Sequence, residues 1–140
     1  MADDRPKRIL VLEDRDEMRN FIVKALTSRG YDVHVPVDSY VALSLVRQQP
    51  FDLVTVDLYM PLIDGVNFLQ ALQGMNLRIP AVVITGYSTD PRIETIRKMG
   101  VRHILSKPFR LDDLFKAVRE SLGEDGPAET SLPPLTPAGT

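Results

Sequence analysis

The chain has 140 residues, of which 44% are apolar and 26% charged, which is ordinary for a single soluble globular domain. Its net charge of −2 argues against direct nucleic-acid binding, and the absence of cysteine excludes disulfides and thiolate metal sites. Because no apolar run could span a bilayer and the amino terminus lacks a signal peptide, we expect a cytoplasmic protein with no membrane partner.

Five short apolar runs predict the strands of a sheet: Ile9–Leu12, Val33–Val37, Leu53–Val56, Ala81–Ile84 and Ile104–Leu105. All but the second are nearly continuous rather than alternating, which is typical of strands buried on both faces of a parallel sheet. The second and fifth runs are weaker, which favours positions at the edges of that sheet.

Apolar residues at helical spacing lie between and after these runs. The first helix has a clear buried face between Met18 and Leu26, and Gly30 suits its carboxyl end. Similar spacing predicts four more helices, around Ala42–Val46, Phe68–Leu72, Ile93–Met99 and Leu111–Leu122. The fourth has the thinnest apolar stripe, so we expect it to shift at low cost.

Strict alternation of strand and helix predicts an α/β fold with right-handed crossovers. Five strands suit the flavodoxin-like, doubly wound (βα)5 arrangement, a parallel sheet of order 2-1-3-4-5. We expect a flexible amino terminus over residues 1–6 and one folded domain over residues 7–122. Residues 123–140 hold four prolines, three glycines and no periodic apolar face, which predicts a disordered tail or linker.

Polar groups with chemical potential follow four of the predicted strands. Glu13 and Asp14 follow the first strand, Asp57 the third, Thr85 the fourth and Lys107 the fifth. In a sheet of order 2-1-3-4-5 these four strands are neighbours, and ligands bind beyond their carboxyl ends. The sequence therefore predicts that all five side chains share one crevice.

The residue types in this crevice favour phosphoryl chemistry. Crowded carboxylates repel one another unless a cation compensates, and Mg2+ suits a small open site with oxygen ligands. Lys107 adds a positive charge, Thr85 a hydroxyl donor, and Gly86 allows a backbone N–H to approach closely. Asp57 is then a candidate nucleophile, since carboxylates form acyl phosphates.

Four stretches of this sequence resemble the motif blocks of bacterial two-component response-regulator receiver domains, of which the chemotaxis regulators are examples. They are ILVLEDRDEMR, DLVTVDLYMPLIDG, VVITGY and GVRHILSKPF, in the family's order and spacing. The resemblance covers about residues 7–122. Read one by one, the residues would suit capping, turns or exposed charges, but those readings do not explain their joint pattern.

The resemblance implies a role for each site residue. Asp57 matches the phosphoacceptor, Lys107 the site lysine, and Thr85 the switch hydroxyl. The metal ligands would be Asp14 directly, Glu13 as the second acidic residue, Asp57 itself and the backbone carbonyl of Tyr59. The N–H groups of Tyr59 and Gly86 match the phosphoryl donors, and the bond before Pro108 is cis in most members.

The resemblance also implies partners. A sensor histidine kinase or histidine phosphotransfer protein would donate the phosphoryl group, and a downstream effector would bind the face of the fourth helix and fifth strand. Such a domain is a phosphoacceptor that assists its own phosphorylation and dephosphorylation, not an enzyme acting on other substrates. The cognate kinase, the effector, the oligomeric state and the full extent of the protein stay open.

Residues 102–104 depart from the family pattern. Many receivers carry an aromatic ring three residues before the lysine, where this chain has Ile104, so a rotating ring is not available as the second half of the switch. Receivers of winged-helix transcription factors have acidic residues just before that position. Here Arg102 and His103 replace them, which puts the salt-bridged dimer of that subfamily in doubt.

Three alternative functions are weighed against a phosphorylated receiver. A degenerate receiver could act as a scaffold without phosphorylation, and Ile104 leaves this open. A flavodoxin-like FMN or nucleotide binder would need a phosphate-cradling loop after the first strand, where Glu13 and Asp14 would repel an anion. A phosphatase of the haloacid dehalogenase type would need a second aspartate at the position of Tyr59.

Overall fold

The computed structural model describes residues 5–87 and 89–124, in which five strands and five helices alternate. The strands are β1 (Arg8–Leu12), β2 (Asp32–His34), β3 (Leu53–Asp57), β4 (Ala81–Thr85) and β5 (His103–Ser106). The helices are α1 (Asp16–Ser28), α2 (Ser39–Gln48), α3 (Gly65–Gly74), α4 (Arg92–Lys98) and α5 (Leu111–Ser121). None of the described helices has the length and apolarity to cross a membrane.

The strands form one parallel sheet in the order β2-β1-β3-β4-β5, which confirms the predicted fold. Leu12 pairs with Val56, Asp57 with Ile84, and Thr85 with Ser106. Because each of these residues is the last or next-to-last of its strand, the loops that follow β1, β3, β4 and β5 leave the sheet side by side.

Alternate strand residues face two apolar layers, one on each side of the sheet. Leu10, Val54 and Val83 pack under α2, α3 and α4, while the intervening strand residues pack under α1 and α5. Every residue of β3 is buried, as expected for the central strand of a doubly covered sheet. Packing on both faces therefore holds β3, and with it Asp57 at the carboxyl end of the strand, in a fixed position.

The predicted second strand is wrong in its second half. It was expected over Val33–Val37, but β2 ends at His34 and pairs with β1 over three residues. Pro36 has no N–H to give to a strand ladder, and the side chain of Val37 is 89% exposed. The chain thus turns away from β1 directly after the strand.

Helix α3 begins pressed against the end of β3. A Cβ atom on Gly65 would lie 2.6 Å from the carbonyl oxygen of Asp57 and 2.9 Å from the Cα of Leu58. The Gly65 N–H donates to the Leu58 carbonyl at 3.0 Å, and Asp64 caps the helix by accepting from the Asn67 N–H at 2.9 Å. The sequence predicts a turn and a helix start here, but not this close approach.

Helix α4 is short and has one fully buried residue, Ile96, with Ile93 and Met99 partly buried beside it. The thin apolar stripe predicted for this helix is therefore present. Its amino end, however, is tied to the loop after β3 by an ion pair between Arg92 and Asp64 at 3.2 Å. The expected low cost of moving this helix has to include the breaking of polar contacts.

The predicted boundary at residue 123 lies just inside the described part of the chain. Glu124 accepts a hydrogen bond from the Tyr31 hydroxyl at 2.9 Å, and its N–H donates to the Arg119 carbonyl. The remainder of the predicted tail, residues 125–140, lies outside the described residues, as do residues 1–4 of the predicted flexible amino terminus.

Candidate functional site

Asp57 is the last residue of β3, and its side chain is almost completely buried. One carboxylate oxygen, Oδ1, accepts the N–H of Tyr59 at 3.0 Å. The other, Oδ2, accepts a hydrogen bond from the Nζ of Lys107 at 2.8 Å. The carboxylate is therefore held between the loop after its own strand and the loop after β5.

Lys107 reaches this carboxylate from the loop that follows β5. Its backbone N–H donates to the Thr85 carbonyl at 2.7 Å, and its peptide bond to Pro108 is cis. The Nζ atom also lies 3.2 Å from Glu13 Oε1. Burial alone would lower the pKa of Lys107, but the hydrogen bond and charge of Asp57, together with Glu13, outweigh it and raise that pKa.

The two acidic residues after β1 differ in burial. Glu13 is 6% exposed, whereas Asp14 is open to solvent. Burial, and after it the negative charge of Asp57, raises the pKa of Glu13 above its ordinary value. Glu13 Oε2 accepts the Arg15 N–H at 3.2 Å, but the buried Oε1 has no hydrogen-bond partner despite its closeness to Lys107.

These acidic groups fit a divalent cation. One carboxylate oxygen each from Glu13, Asp14 and Asp57 can be chosen so that all three lie within 4.8 Å of one another. Three carboxylates and the single ammonium of Lys107 sum to two negative charges. An oxygen-only donor set with a buried, unsatisfied oxygen and excess negative charge is what a hard cation such as Mg2+ binds.

Thr85 ends β4 next to Asp57, and its side chain is fully buried. Its hydroxyl is used within its own loop, where it accepts the Tyr87 N–H at 3.1 Å and lies 3.4 Å from the Tyr87 carbonyl. At Gly86 a Cβ would meet no atom within 4 Å, so the described residues give no steric reason for glycine. Its expected role as a close phosphoryl donor stays a prediction.

Ile104 and His103 face opposite sides of β5. Ile104 packs into the apolar layer beneath α4, whereas His103 lies 3.9 Å from Glu120 on α5. The aliphatic side chain of Ile104 has no polar atom that could form a hydrogen bond with Thr85. The structure thus places an apolar contact where many receivers place their ring.

A group of polar contacts beside the site was not predicted from the sequence. The Tyr59 hydroxyl donates a hydrogen bond to Asp90, and the Arg92 guanidinium carbon lies 3.9 Å from the centroid of the Tyr59 ring. Tyr87 meets Tyr59 edge-on, with 5.4 Å between ring centroids. One sequence signal pointed to Asp90, because an aspartate followed by proline is typical of a helix start. In the structure Asp90 accepts the Arg92 N–H at 2.8 Å.

A cavity of about 660 Å³ lies elsewhere, at the amino ends of β4 and β5. It is lined by residues such as Pro80, Val101 and Glu120 and contains none of the predicted site residues. A smaller cavity of about 70 Å³ lies beside the acidic residues that follow β1 and is lined by Glu13, Asp14 and Met60, among others.

Comparison with known proteins decides the family. The family model described as response regulator receiver domain matches residues 9–119. The chain belongs to this family. Response regulator receiver protein CpdR of Brucella abortus is 34% identical over 119 residues, which are 83% of this chain and 97% of CpdR.

Solved receiver structures are similar in fold. The receiver domain of Francisella response regulator 1452 has a TM-score of 0.75 and 30% identity, covering 84% of this chain and 97% of that domain. The receiver domain of the Pseudomonas aeruginosa sensor histidine kinase PA1611, described with magnesium ion coordinated in its active site cleft, has a TM-score of 0.77 and 24% identity. That match covers 85% of this chain and 99% of that domain.

Some curated relatives are much longer than this receiver. The chain spans 20% of transcription factor SKN7 of Candida albicans and 25% of regulatory protein AtoC of Escherichia coli. Receivers thus occur in such relatives as one part of a larger protein.

Proposed function

We propose that this receiver accepts a phosphoryl group on Asp57 from a histidine kinase or a histidine phosphotransfer protein, in a reaction that requires Mg2+. The observation that carries the proposal is the position of Lys107, whose ammonium contacts the carboxylates of both Asp57 and Glu13. A buried carboxylate with a cation on one side and an acidic cluster on the other suits an acyl-phosphate site.

In the proposed reaction a carboxylate oxygen of Asp57 attacks the phosphorus of a phosphohistidine in line. The new O–P bond forms as the P–N bond breaks, and the imidazole nitrogen keeps the electron pair and takes a proton. Lys107 is already in contact with Asp57 Oδ2 at 2.8 Å, so it can neutralise charge on the phosphoryl oxygens without a large movement. Positioning and neutralisation are the main contributions to such transfers.

Glu13, Asp14, Asp57 and the Tyr59 carbonyl would hold the Mg2+ ion. When bound, the ion neutralises charge shared by the carboxylates and the phosphoryl oxygens. The PA1611 receiver, described with magnesium in its cleft, supports this assignment by similarity of fold. Which of Glu13 and Asp14 contacts the ion directly stays a prediction.

The phosphorylated form would bind an effector differently from the unphosphorylated form. The phosphoryl group adds roughly two negative charges at neutral pH, enough to draw the Thr85 hydroxyl out of its loop. Movement of that loop would change the face formed by α4 and β5, which a downstream effector then binds. In this proposal the effector is a separate protein or another part of a longer chain, and the protein works in the cytoplasm.

The proposed receiver is a switch rather than an enzyme, since each chain takes up one phosphoryl group on its own side chain. The alternative of a degenerate receiver, which binds partners without phosphorylation, needs the site to be chemically silent. The contacts among Asp57, Lys107 and Glu13 favour an active site instead.

The test is incubation with acetyl phosphate or phosphoramidate, with and without Mg2+, followed by intact-mass measurement. We expect the mass of one phosphoryl group on the parent in Mg2+ and none on Asp57→Asn. Asp113→Asn, which changes an exposed aspartate on α5, should behave as the parent does. Absence of phosphoryl uptake by the parent, or equal uptake by Asp57→Asn, would contradict the proposal.

A further inference from the structure

Four residues link the loop after β3 to the loop after β4 and the start of α4. Tyr59 stands on the first loop, and Tyr87, Asp90 and Arg92 follow β4; together they are called the tyrosine clamp below. Their contacts are the hydrogen bond from the Tyr59 hydroxyl to Asp90, the stacking of Arg92 on the Tyr59 ring and the edge contact of Tyr87.

Charged side chains stabilise the α4 end of the clamp. Asp90 is buried, accepts the Arg92 N–H at 2.8 Å and lies 3.5 Å from the Arg92 guanidinium. The same guanidinium reaches back across the gap to Asp64, the cap of α3, at 3.2 Å. Arg92 therefore contacts the Tyr59 ring, Asp90, which accepts from the Tyr59 hydroxyl, and Asp64 on the loop after β3.

Both ends of the clamp are attached to site residues. The Tyr59 N–H donates to Asp57 Oδ1, so the residue that carries the ring is hydrogen-bonded to the proposed phosphoacceptor. The Tyr87 backbone is hydrogen-bonded to the Thr85 hydroxyl. When Thr85 turns toward a phosphoryl group, its hydroxyl leaves Tyr87, and the loop that carries Tyr87 loses the contact that holds it to β4.

We propose that the tyrosine clamp holds the unphosphorylated conformation of the β4–α4 loop, and that Asp90 and Arg92 are the positioning residues that keep it closed. The clamp thereby supplies the aromatic element of the switch that Ile104 cannot supply. This inference rests on the proposed phosphorylation of Asp57.

Two sets of contacts compete for the loop after β4. The closed clamp has a hydrogen bond to a charged group, a cation over an aromatic face and two ion pairs to Arg92. The phosphoryl group offers Thr85 a stronger acceptor than the Tyr87 carbonyl. Loosening the clamp should therefore raise the population of the switched conformation before any phosphoryl group is present.

The test uses two clamp variants of the full chain and two matched controls. Tyr59→Phe removes the hydroxyl that binds Asp90 but keeps the ring, and Arg92→Ala removes the stacking and the ion pairs. Arg97→Ala changes another arginine of α4, one that is exposed and outside the clamp, and Tyr40→Phe removes the hydroxyl of an exposed tyrosine on α2.

The readout is the amide NMR shifts of α4 without ligand and with Mg2+ and beryllium fluoride, an acyl-phosphate mimic. We expect the ligand-free clamp variants to move along the line joining the two parent spectra, and the controls to stay at the ligand-free parent position. Loss of a hydrogen bond to a charged group should raise the switched-to-unswitched ratio by about tenfold.

Two failures can be told apart. If beryllium fluoride moves α4 in the parent but both clamp variants start from the parent's ligand-free position, the clamp inference is wrong and the proposed function stands. The same holds if the variants move off that line. If the parent itself does not respond to beryllium fluoride in Mg2+, the proposed phosphorylation switch fails, and the clamp inference fails with it.

Discussion

At the scale of single residues, the site is organised around one partly buried cation. The Nζ of Lys107 contacts Asp57 at 2.8 Å and Glu13 at 3.2 Å, and both carboxylates are nearly inaccessible to solvent. The sequence could predict that these residues meet, because each follows a neighbouring strand. It could not predict that Glu13 is buried and Asp14 exposed, since that depends on how α1 leaves the sheet.

Removal of the Lys107 charge should destabilise the fold. In Lys107→Met two buried carboxylates lose their cation, and we expect the free energy of unfolding without Mg2+ to fall by about 3 kcal/mol. Urea unfolding at neutral pH measures this. Lys116→Met, which changes an exposed lysine on α5, is the control, and an equal effect in both variants would contradict the account.

At the scale of elements, the alternation of strands and helices follows from apolar periodicity, but close contacts between elements do not. Gly65 looks like a turn residue in the sequence, yet its missing side chain is what allows α3 to touch the end of β3. Likewise the apolar run at Val33–Val37 predicts a longer strand than β2. The run continues past Pro36, but the hydrogen-bonded ladder ends before it.

Gly65→Ala should be costly because its new methyl group would meet backbone atoms that cannot rotate away. We expect a loss of about 1–3 kcal/mol in the free energy of unfolding, typical of overpacking. Gly74→Ala is the control at the other end of α3, where a Cβ meets nothing within 4 Å. That variant should be neutral or slightly more stable, and equal losses for the two alanines would count against the described packing.

Asp32, the first residue of β2, should make the free energy of unfolding depend on pH. His34, whose Nε2 lies 3.2 Å from Asp32 Oδ1, and after it the hydrogen bond from Arg8 hold the pKa of Asp32 below its ordinary value. A carboxyl with a lowered folded-state pKa stabilises the fold above its unfolded pKa, and this stabilisation is lost as pH falls through the folded pKa. The parent should therefore exceed Asp32→Asn in stability at neutral pH.

Thermal unfolding of both proteins across the acid range tests this, with Asp112→Asn on α5 as the control. The difference between the parent and Asp32→Asn should close below about pH 4, where an aspartate loses its charge. A difference that stays constant across the acid range would mean that Asp32 contributes through packing rather than through charge.

At the scale of the whole molecule, the order of the strands is what turns a set of common residues into one site. Five apolar runs that alternate with helices suit that order, so the crevice was predictable in outline. The clamp was not, because it depends on side-chain contacts between loops. Asp90 and Tyr59 lie 31 residues apart, and no periodic pattern connects them.

The predicted tail should add nothing to the stability of the receiver. A chain ending at Glu124 should unfold at the temperature of the full chain. A chain ending at Gly123 loses the hydrogen bond between Glu124 and Tyr31 and should be less stable by about 1 kcal/mol. A lower unfolding temperature for the chain ending at Glu124 would show that residues 125–140 contribute to the fold.

The central claim is that the phosphoryl group is carried on one side chain, Asp57. Reduction of the phosphorylated protein with borohydride converts an acyl phosphate of aspartate into homoserine, which peptide mass spectrometry can locate. We expect homoserine at position 57 alone, and only when Mg2+ and a phosphodonor are both present. Homoserine at another position, or none in a protein that has taken up a phosphoryl group, would contradict this account.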